Sequence, residues 1–321
     1  MDNLALKPDD RVLILGGTGF IGKRLVSELT GRNIRLRLLV RNPSKVPTTI
    51  LKNRDIEIVK GDIVSGDGLK EAVRGIHIAY YLVHSMGSKS MFKSTDFARM
   101  DENAAKNFVN SADSAGIKRV IYLGGLGKVG EGLSEHLKSR EEVAKILSSG
   151  KLHATVLRAA VIIGAGSASF VMFKYLVEHM RVMICPKWID TKIQPIAVND
   201  VLAYLAGCLL HPETAGKKFD IGGPDVLTYR KMIQQYTEAV GIPKRIIFRT
   251  PVLSSLLASY WAGLTTPVSS GLAHALIEGL RNEVVCLDDS ITEYIHIERI
   301  PFKAAVKIAV SEKVKSACPP G

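Results

Sequence analysis

The sequence predicts an α/β fold, a doubly wound parallel sheet followed by a smaller, mostly helical C-terminal cap. Three observations carry that expectation. Short apolar runs alternate with helix-spaced patterns through the first two-thirds of the chain. The first run, Arg11–Leu15, leads straight into a glycine turn that opens a helix. After Gly164 the strand–helix repeat stops. Strands alternating with helices make a parallel sheet with helices on both faces, joined by right-handed crossovers.

Each element follows from its pattern. Strands are expected at Arg11–Leu15, Arg35–Val40, Ile56–Val59, Ile76–Val83, Arg119–Leu123 and Thr155–Ile163. The intervening helices run from the glycine turn to about Gly31, over Gly68–Val73, Ser94–Ala115 and Ser134–Ser148. Beyond Gly164, Phe170–Glu178, Asp200–Leu210 and Thr228–Val240 read as helices, the last opened by a Thr N-cap. Ile193–Val198 and Lys218–Ile221 read as strands, and at least two more helices are expected after Pro251. The expected division is 1–165 for the sheet domain, with 193–221 returning to it, and 166–192 plus 222–321 for a substrate-covering cap.

Composition narrows the function class. The chain has 321 residues, 46% hydrophobic and 23% charged, with ample apolar material for a core. Met1–Asp10 carries Asp2, Asp9 and Asp10 and no apolar stretch, so no secretory signal is expected. No apolar run reaches the roughly 18 residues that span a bilayer. Cys185, Cys208, Cys286 and Cys318 form no C-x-x-C pair and have no His at metal spacing. Neither disulfides nor a metal is expected, and a reducing cytoplasm fits. The formal net charge is +12, yet Lys and Arg are scattered with no aromatic-interleaved basic stripe. Nucleic-acid binding is therefore not expected.

The chemistry-bearing motif is Gly16-Gly17-Thr18-Gly19-Phe20-Ile21-Gly22, between the first strand and the first helix. In that context G-x-x-G-x-x-G is the dinucleotide turn of a Rossmann sheet. Gly16 permits the tight turn, Gly19 the approach of a pyrophosphate, and Gly22 close packing of helix on strand. Anions suit the helix N-terminus that follows. The second strand ends Val40-Arg41-Asn42-Pro43-Ser44-Lys45, with no carboxylate for a ribose 2′-hydroxyl. Arg41 and Lys45 can hold a 2′-phosphate, with Arg24 assisting, so NADP is expected ahead of NAD; the alternative is solvated surface charge. Gly61-Asp62-Ile63 follows the third strand, where a carboxylate accepts from an adenine amino group or caps a turn. Leu82-Val83-His84-Ser85-Met86-Gly87 ends the fourth strand, on the edge where open α/β sheets bind ligands.

These residues resemble the atypical, extended, NmrA-like branch of the short-chain dehydrogenase/reductase superfamily. Further segments carry the likeness: Ala115–Leu123, Val156-Leu157-Arg158, Pro195–Val201 and Phe219–Pro224. Within that branch it resembles bacterial NAD(P)-binding oxidoreductases, and more distantly the accessory nucleotide-binding subunit of respiratory complex I, which implies cofactor binding without turnover. The resemblance implies that Gly16, Gly19 and Gly22 hold phosphate, Arg41 the 2′-phosphate and Asp62 the adenine. It implies that Ala159, Ala160, Val161 and Ile162 line the nicotinamide.

The family's catalytic group breaks here. A Ser after the fifth strand and a Tyr-x-x-x-Lys helix are its pattern. This chain has Tyr122-Leu123-Gly124-Gly125 and then His136 and Arg140 at i and i+4. A neutral His136, its pKa depressed by Arg140, accepts a proton or hydrogen-bonds; alternatively the pair positions the nicotinamide ribose. His84 is the other candidate acid, and Tyr80 and Tyr81 read as packing.

In the cap, Val252, Leu253, Leu256, Leu257, Tyr260, Trp261 and Leu264 recur at helical spacing opposite uncharged Ser254, Ser255 and Ser259. Membrane-surface helices carry basic residues on the polar face, so a buried cap or homo-oligomer helix is expected ahead of a peripheral membrane contact. Trp188 is a candidate pocket residue. The functional expectation is an NADPH-dependent reductase of a small carbonyl, enone or quinone. The alternatives are a non-catalytic NADP-binding sensor or assembly protein and, more weakly, a nucleotide-sugar epimerase or dehydratase.

Overall fold

A computed structural model describes residues 4–84, 94–127, 134–250, 278 and 281–312. The first half runs β1 (Arg11–Leu15), α1 (Phe20–Gly31), β2 (Arg35–Val40), α2 (Thr48–Leu51), β3 (Ile56–Lys60), α3 (Leu69–Val73), β4 (Ile78–Tyr81), α4 (Ser94–Ala115), β5 (Arg119–Gly125), α5 (Glu135–Ser149) and β6 (His153–Ala159). Then come β7 (Ile162–Ile163), α6 (Ala168–His179), β8 (Val182–Cys185), β9 (Lys192–Ile193), β10 (Ile196–Ala197) and α7 (Val198–Leu210). The last elements are β11 (Lys218–Ile221), β12 (Leu227–Thr228), α8 (Tyr229–Val240), β13 (Ile246–Arg249) and α9 (Phe302–Ser311).

The central sheet has seven strands in the order β11-β6-β5-β4-β1-β2-β3, all parallel. The chain winds outward from β1 to β3 and then crosses back to β4. Strand order therefore reverses between β1 and β4, which opens a crevice at their carboxyl ends. Both faces of β1 are covered. Val12 and Ile14 enter one core with Leu25, Leu29 and Leu205; Leu13 and Leu15 enter the other with Phe108, Val120 and Leu147. Period-two side-chain alternation thus feeds two cores from one continuous apolar run. A third core, built on Phe170, Met183, Tyr236 and Phe302, lies under the second half.

Long-range polar ties anchor α7 to the sheet. The Tyr80 hydroxyl donates to the Leu205 carbonyl at 2.8 Å. The buried Arg119 guanidinium donates to the carbonyls of Cys208 and His211 and to Thr214 Oγ1. A cation at a helix C-terminus is favourable because the orphan carbonyls gather there.

Several boundaries differ from the expectation. The strand over Thr155–Ile163 divides. β6 ends at Ala159, and β7 leaves the sheet to pair in parallel with β10. The strand over Ile193–Val198 also divides, because Pro195 has no N–H to continue a ladder and Val198 already opens α7. β4 stops at Tyr81, short of Val83. The second half is less purely helical than its pattern suggested: β8 pairs in parallel with β13, and β9 antiparallel with β12. The amphipathic stretch Val252–Leu264 lies outside the described residues, as does Cys318. Among the described residues no helix is long and apolar enough to cross a membrane, and no three His, Cys, Asp or Glu gather as metal ligands.

Candidate cofactor site

The glycine turn is sterically closed to side chains at Gly16 and Gly22. Gly16 has φ +86°, and a Cβ there would lie 2.6 Å from the Leu82 carbonyl oxygen, just past the end of β4 across the crevice. A Cβ on Gly22 would lie 2.1 Å from the Gly16 carbonyl oxygen and 2.7 Å from Gly17 Cα. Gly19 donates its N–H to Gly16 O at 3.0 Å and stands at the N-cap of α1 with no side-chain cap. No acidic residue occupies the first turn. The leading amides of α1, at Phe20, Ile21 and Gly22, therefore have no internal carboxylate to satisfy them, as an anion site requires. The residues present fit a dinucleotide pyrophosphate, with Thr18 on the rim of the same turn.

Arg24 does not join the phosphate side. Its guanidinium lies 4.5 Å from the centre of the Phe20 ring, donates to the Ala165 carbonyl at 2.9 Å and pairs with Glu312 at 2.8 Å. Tertiary contacts with the loop after β7 and the end of α9 turn it away. Arg41, just past β2, is exposed. Beside it the Asn42 side chain accepts from the Ser44 N–H and hydroxyl, which holds the turn. The Lys45 side chain lies outside the described residues. Asp62 Oδ1 accepts from the Val64 N–H at 2.9 Å, so the carboxylate caps its own turn. Ile63 turns its side chain into the core, and its carbonyl accepts from Asn107.

At the crevice, Val83 and His84 follow β4 and are half-buried. His84 Nδ1 meets the Arg140 guanidinium from α5. Arginine has only donors, so in that contact Nδ1 is the acceptor and Nε2 is left to carry the ring proton. Burial lowers the Arg140 pKa to about 9, still above neutrality, so the cation persists. The buried Tyr122 hydroxyl donates to the Arg140 carbonyl at 3.2 Å, and its ring stands edge-on to His84 with centroids 6.4 Å apart. Burial pushes the Tyr122 hydroxyl well above its usual pKa. On the other side, Ser139 donates to the buried Asp101 at 3.3 Å.

Two expectations about this group are corrected. Arg140 engages His84 rather than His136, although His136 is only one helical turn away. His136 is indeed held neutral, with its pKa lowered to about 4, but the cause is burial and not the Arg140 charge. The two glycines at the place of the missing serine have close side-chain neighbours. A Cβ on Gly124 would lie 2.9 Å from the Tyr122 ring, and one on Gly125 2.9 Å from Leu137. Gly125 and Ala159 are register partners at the ends of β5 and β6. The Ala159 carbonyl accepts from Leu126 N–H and the Val161 carbonyl from Ile196 N–H. Ala160 and Val161 are half-buried against the third core, and Ile162 against the first. Trp188 packs edge-on against Tyr229, with centroids 6.1 Å apart, rather than into the crevice group. The fold thus brings the glycine turn, Val83, His84, Arg140 and Ala159 to the carboxyl ends of the neighbouring strands β1, β4, β5 and β6. Tyr122 and Asp101 were not singled out from the sequence. Asp101 was legible as the charged residue on the α4 stripe that also carries Ala104, Ala105 and Phe108.

Residues 16–166, which span this whole edge, match the family described as NAD(P)H-binding. That match is a likeness of the sheet half of the chain. It is 30% identical over 118 residues to 3-beta-hydroxysteroid dehydrogenase of Mycolicibacterium neoaurum, a match covering 35% of this chain and 31% of that one. The chain thus spans about a third of that relative. It is 25% identical over 270 residues to ceramide reductase of Caulobacter vibrioides, covering 82% of each. The fold superposes on a nucleoside-diphosphate-sugar epimerase from Staphylococcus aureus with TM-score 0.73 at 17% identity, over 92% of this chain and 99% of that one. At that identity the likeness is one of fold.

Proposed function

We propose that this protein is an NADP(H)-dependent reductase that acts on a carbonyl, enone or quinone group of a small-molecule substrate. The observation that carries the reading is the His84–Arg140 pair at the crevice edge beside the glycine turn. The cofactor, when bound, supplies hydride. The first-turn amides of α1 bind its pyrophosphate, and Arg41 binds a 2′-phosphate at the end of a strand that offers no carboxylate to a free ribose. Arg140 locks the His84 tautomer, so Nε2–H points a fixed donor at a substrate oxygen. A pre-oriented donor stabilises the oxyanion as it forms, and solvent then supplies the proton. His136 is neutral at neutral pH because burial lowers its pKa. The name of the Caulobacter relative, a reductase matched over most of both chains, supports the same class.

The test is a titration followed by a turnover screen. NADPH is expected to bind more tightly than NADH, and Arg41→Ala to erase the difference. With a panel of carbonyls, enones and quinones, NADPH oxidation is expected to fall at least tenfold in His84→Ala while cofactor affinity is retained, and to survive in His136→Ala. Cofactor binding without oxidation against any member of the panel would overturn the reductase reading.

One set of observations favours a second reading, a non-catalytic NADP-binding protein. A Cβ at Gly124 would press on the Tyr122 ring and one at Gly125 on Leu137, and burial holds His136 neutral. A tightly held, unexchanged cofactor in a protein that turns nothing over is its signature. The weaker alternative, a nucleotide-sugar epimerase, has support from UDP-glucose 4-epimerase of Vibrio cholerae, 22% identical over 256 residues, but His136 stands where that chemistry uses Tyr.

A further inference from the structure

We infer that the paired strands β8 and β13 form a docking surface for an anionic lipid bilayer. The inference is independent of the reductase reading. Val182 faces Ile246 across the pair, and Ile184 faces Phe248. Opposite residues of a ladder share a face, so the four make one apolar block. Their exposures are 48%, 56%, 58% and 58%, and Met180 beside them is 40% exposed. The reverse face carries Met183 and Cys185, both buried in the third core. A sheet with one face on a core ordinarily turns polar side chains outward, and this one turns outward its largest hydrophobics.

The rim is cationic. Arg181 and Lys244 are exposed at the strand starts. Arg245 is tied to the carbonyls of Val177, Pro243 and Glu178, so its charge meets no carboxylate in those bonds. The nearby acids are already engaged: Asp190 with Arg230 at 2.9 Å and Arg249 at 3.6 Å, and Glu178 with Lys174 at 3.4 Å. An apolar block ringed by Arg and Lys, on a chain of net charge +12, is complementary to acyl chains beneath anionic headgroups. About half of four large side chains amounts to roughly 350 Å², far below the ~800 Å² per partner of a stable dimer. A bilayer needs no matched partner face.

The experiment is co-sedimentation of the full-length protein with vesicles of pure phosphatidylcholine or of phosphatidylcholine with one-third phosphatidylglycerol. Binding is expected to the anionic vesicles, at least tenfold weaker to the neutral ones, and to weaken with salt. Ile184→Asp with Phe248→Asp is expected to abolish it while leaving the melting temperature unchanged, since both side chains already face water. Arg181→Gln and Lys244→Gln are each expected to weaken it roughly fivefold. The proposal falls if the wild-type protein ignores both vesicles, or if the double Asp variant binds as the wild type does. It also falls if light scattering shows a dimer that the double variant abolishes, which would make a second copy the occupant. Loss of melting temperature in the double variant, with no vesicle binding by the wild type, would instead assign the face to the chain's own 251–280 segment.

Discussion

Replacing Gly19 with Ala separates dinucleotide binding from folding. Gly19 has φ −75° and ψ 179°, an extended conformation that Ala adopts freely. A Cβ built there meets the Gly16 carbonyl oxygen at 3.2 Å and nothing else within 4 Å. The turn absorbs that methyl with a shift of a few tenths of an ångström, so stability is expected to change by less than about 1 kcal/mol. The same methyl stands at the N-cap of α1, where an incoming pyrophosphate must reach the first-turn N–H groups. Losing one charge-assisted hydrogen bond costs about 1.5–3 kcal/mol, which is roughly ten- to a hundredfold in Kd. The assay is a calorimetric titration with NADPH alongside a thermal melt without ligand. Gly22→Ala is the contrast: its Cβ would sit 2.1 Å from the Gly16 oxygen, so helix and strand must separate and both readouts must fall. A Gly19→Ala protein that binds NADPH with unchanged affinity would refute the assignment of this turn to the pyrophosphate. One that fails to fold would refute the claim that the methyl is accommodated.

Acidification is expected to destabilise the protein through His136, whose pKa drops from 6.5 to about 4 on folding. The unfolded chain then binds more protons between those values, so stability is undiminished above pH 6.5 and falls as pH drops through the window. The limit is about 3 kcal/mol, and urea titrations at pH 7 and pH 4.5 should lose much of their difference in His136→Gln. Arg158 pairs with the fully buried Asp220 at 2.5 Å, while Leu287 N–H donates to the other carboxylate oxygen at 3.0 Å. Arg158→Met strands that charge and is expected to cost roughly 3–5 kcal/mol in urea unfolding, with most of it recovered in the Arg158→Met, Asp220→Asn double variant. If the double variant is as unstable as the single one, stranded charge is not the cause.

Sequence alone determined the features that neighbours along the chain decide. Continuous apolar runs marked the doubly covered strands. Ser134 and Thr228 marked the starts of α5 and α8, which they cap. The glycine spacing marked the phosphate turn, because each glycine answers a clash within a few residues of itself or with the adjoining strand. Tertiary structure decided the rest. Arg140 sits one turn from His136, yet it bonds His84, 56 positions away in sequence. Arg24 lies in the helix of the phosphate turn, yet it pairs with Glu312, 288 positions away. β7 leaves the main sheet because its partner, β10, comes later in the chain, and the uniformly apolar run Val182–Cys185 could not say which of its faces the core would take. The physical reason is common to all of these. Propensity, capping and turn chemistry act over a few residues and are written locally. Which charges meet, which side chains lose water and which pKa values move depends on segments far apart in sequence that only the folded chain brings together.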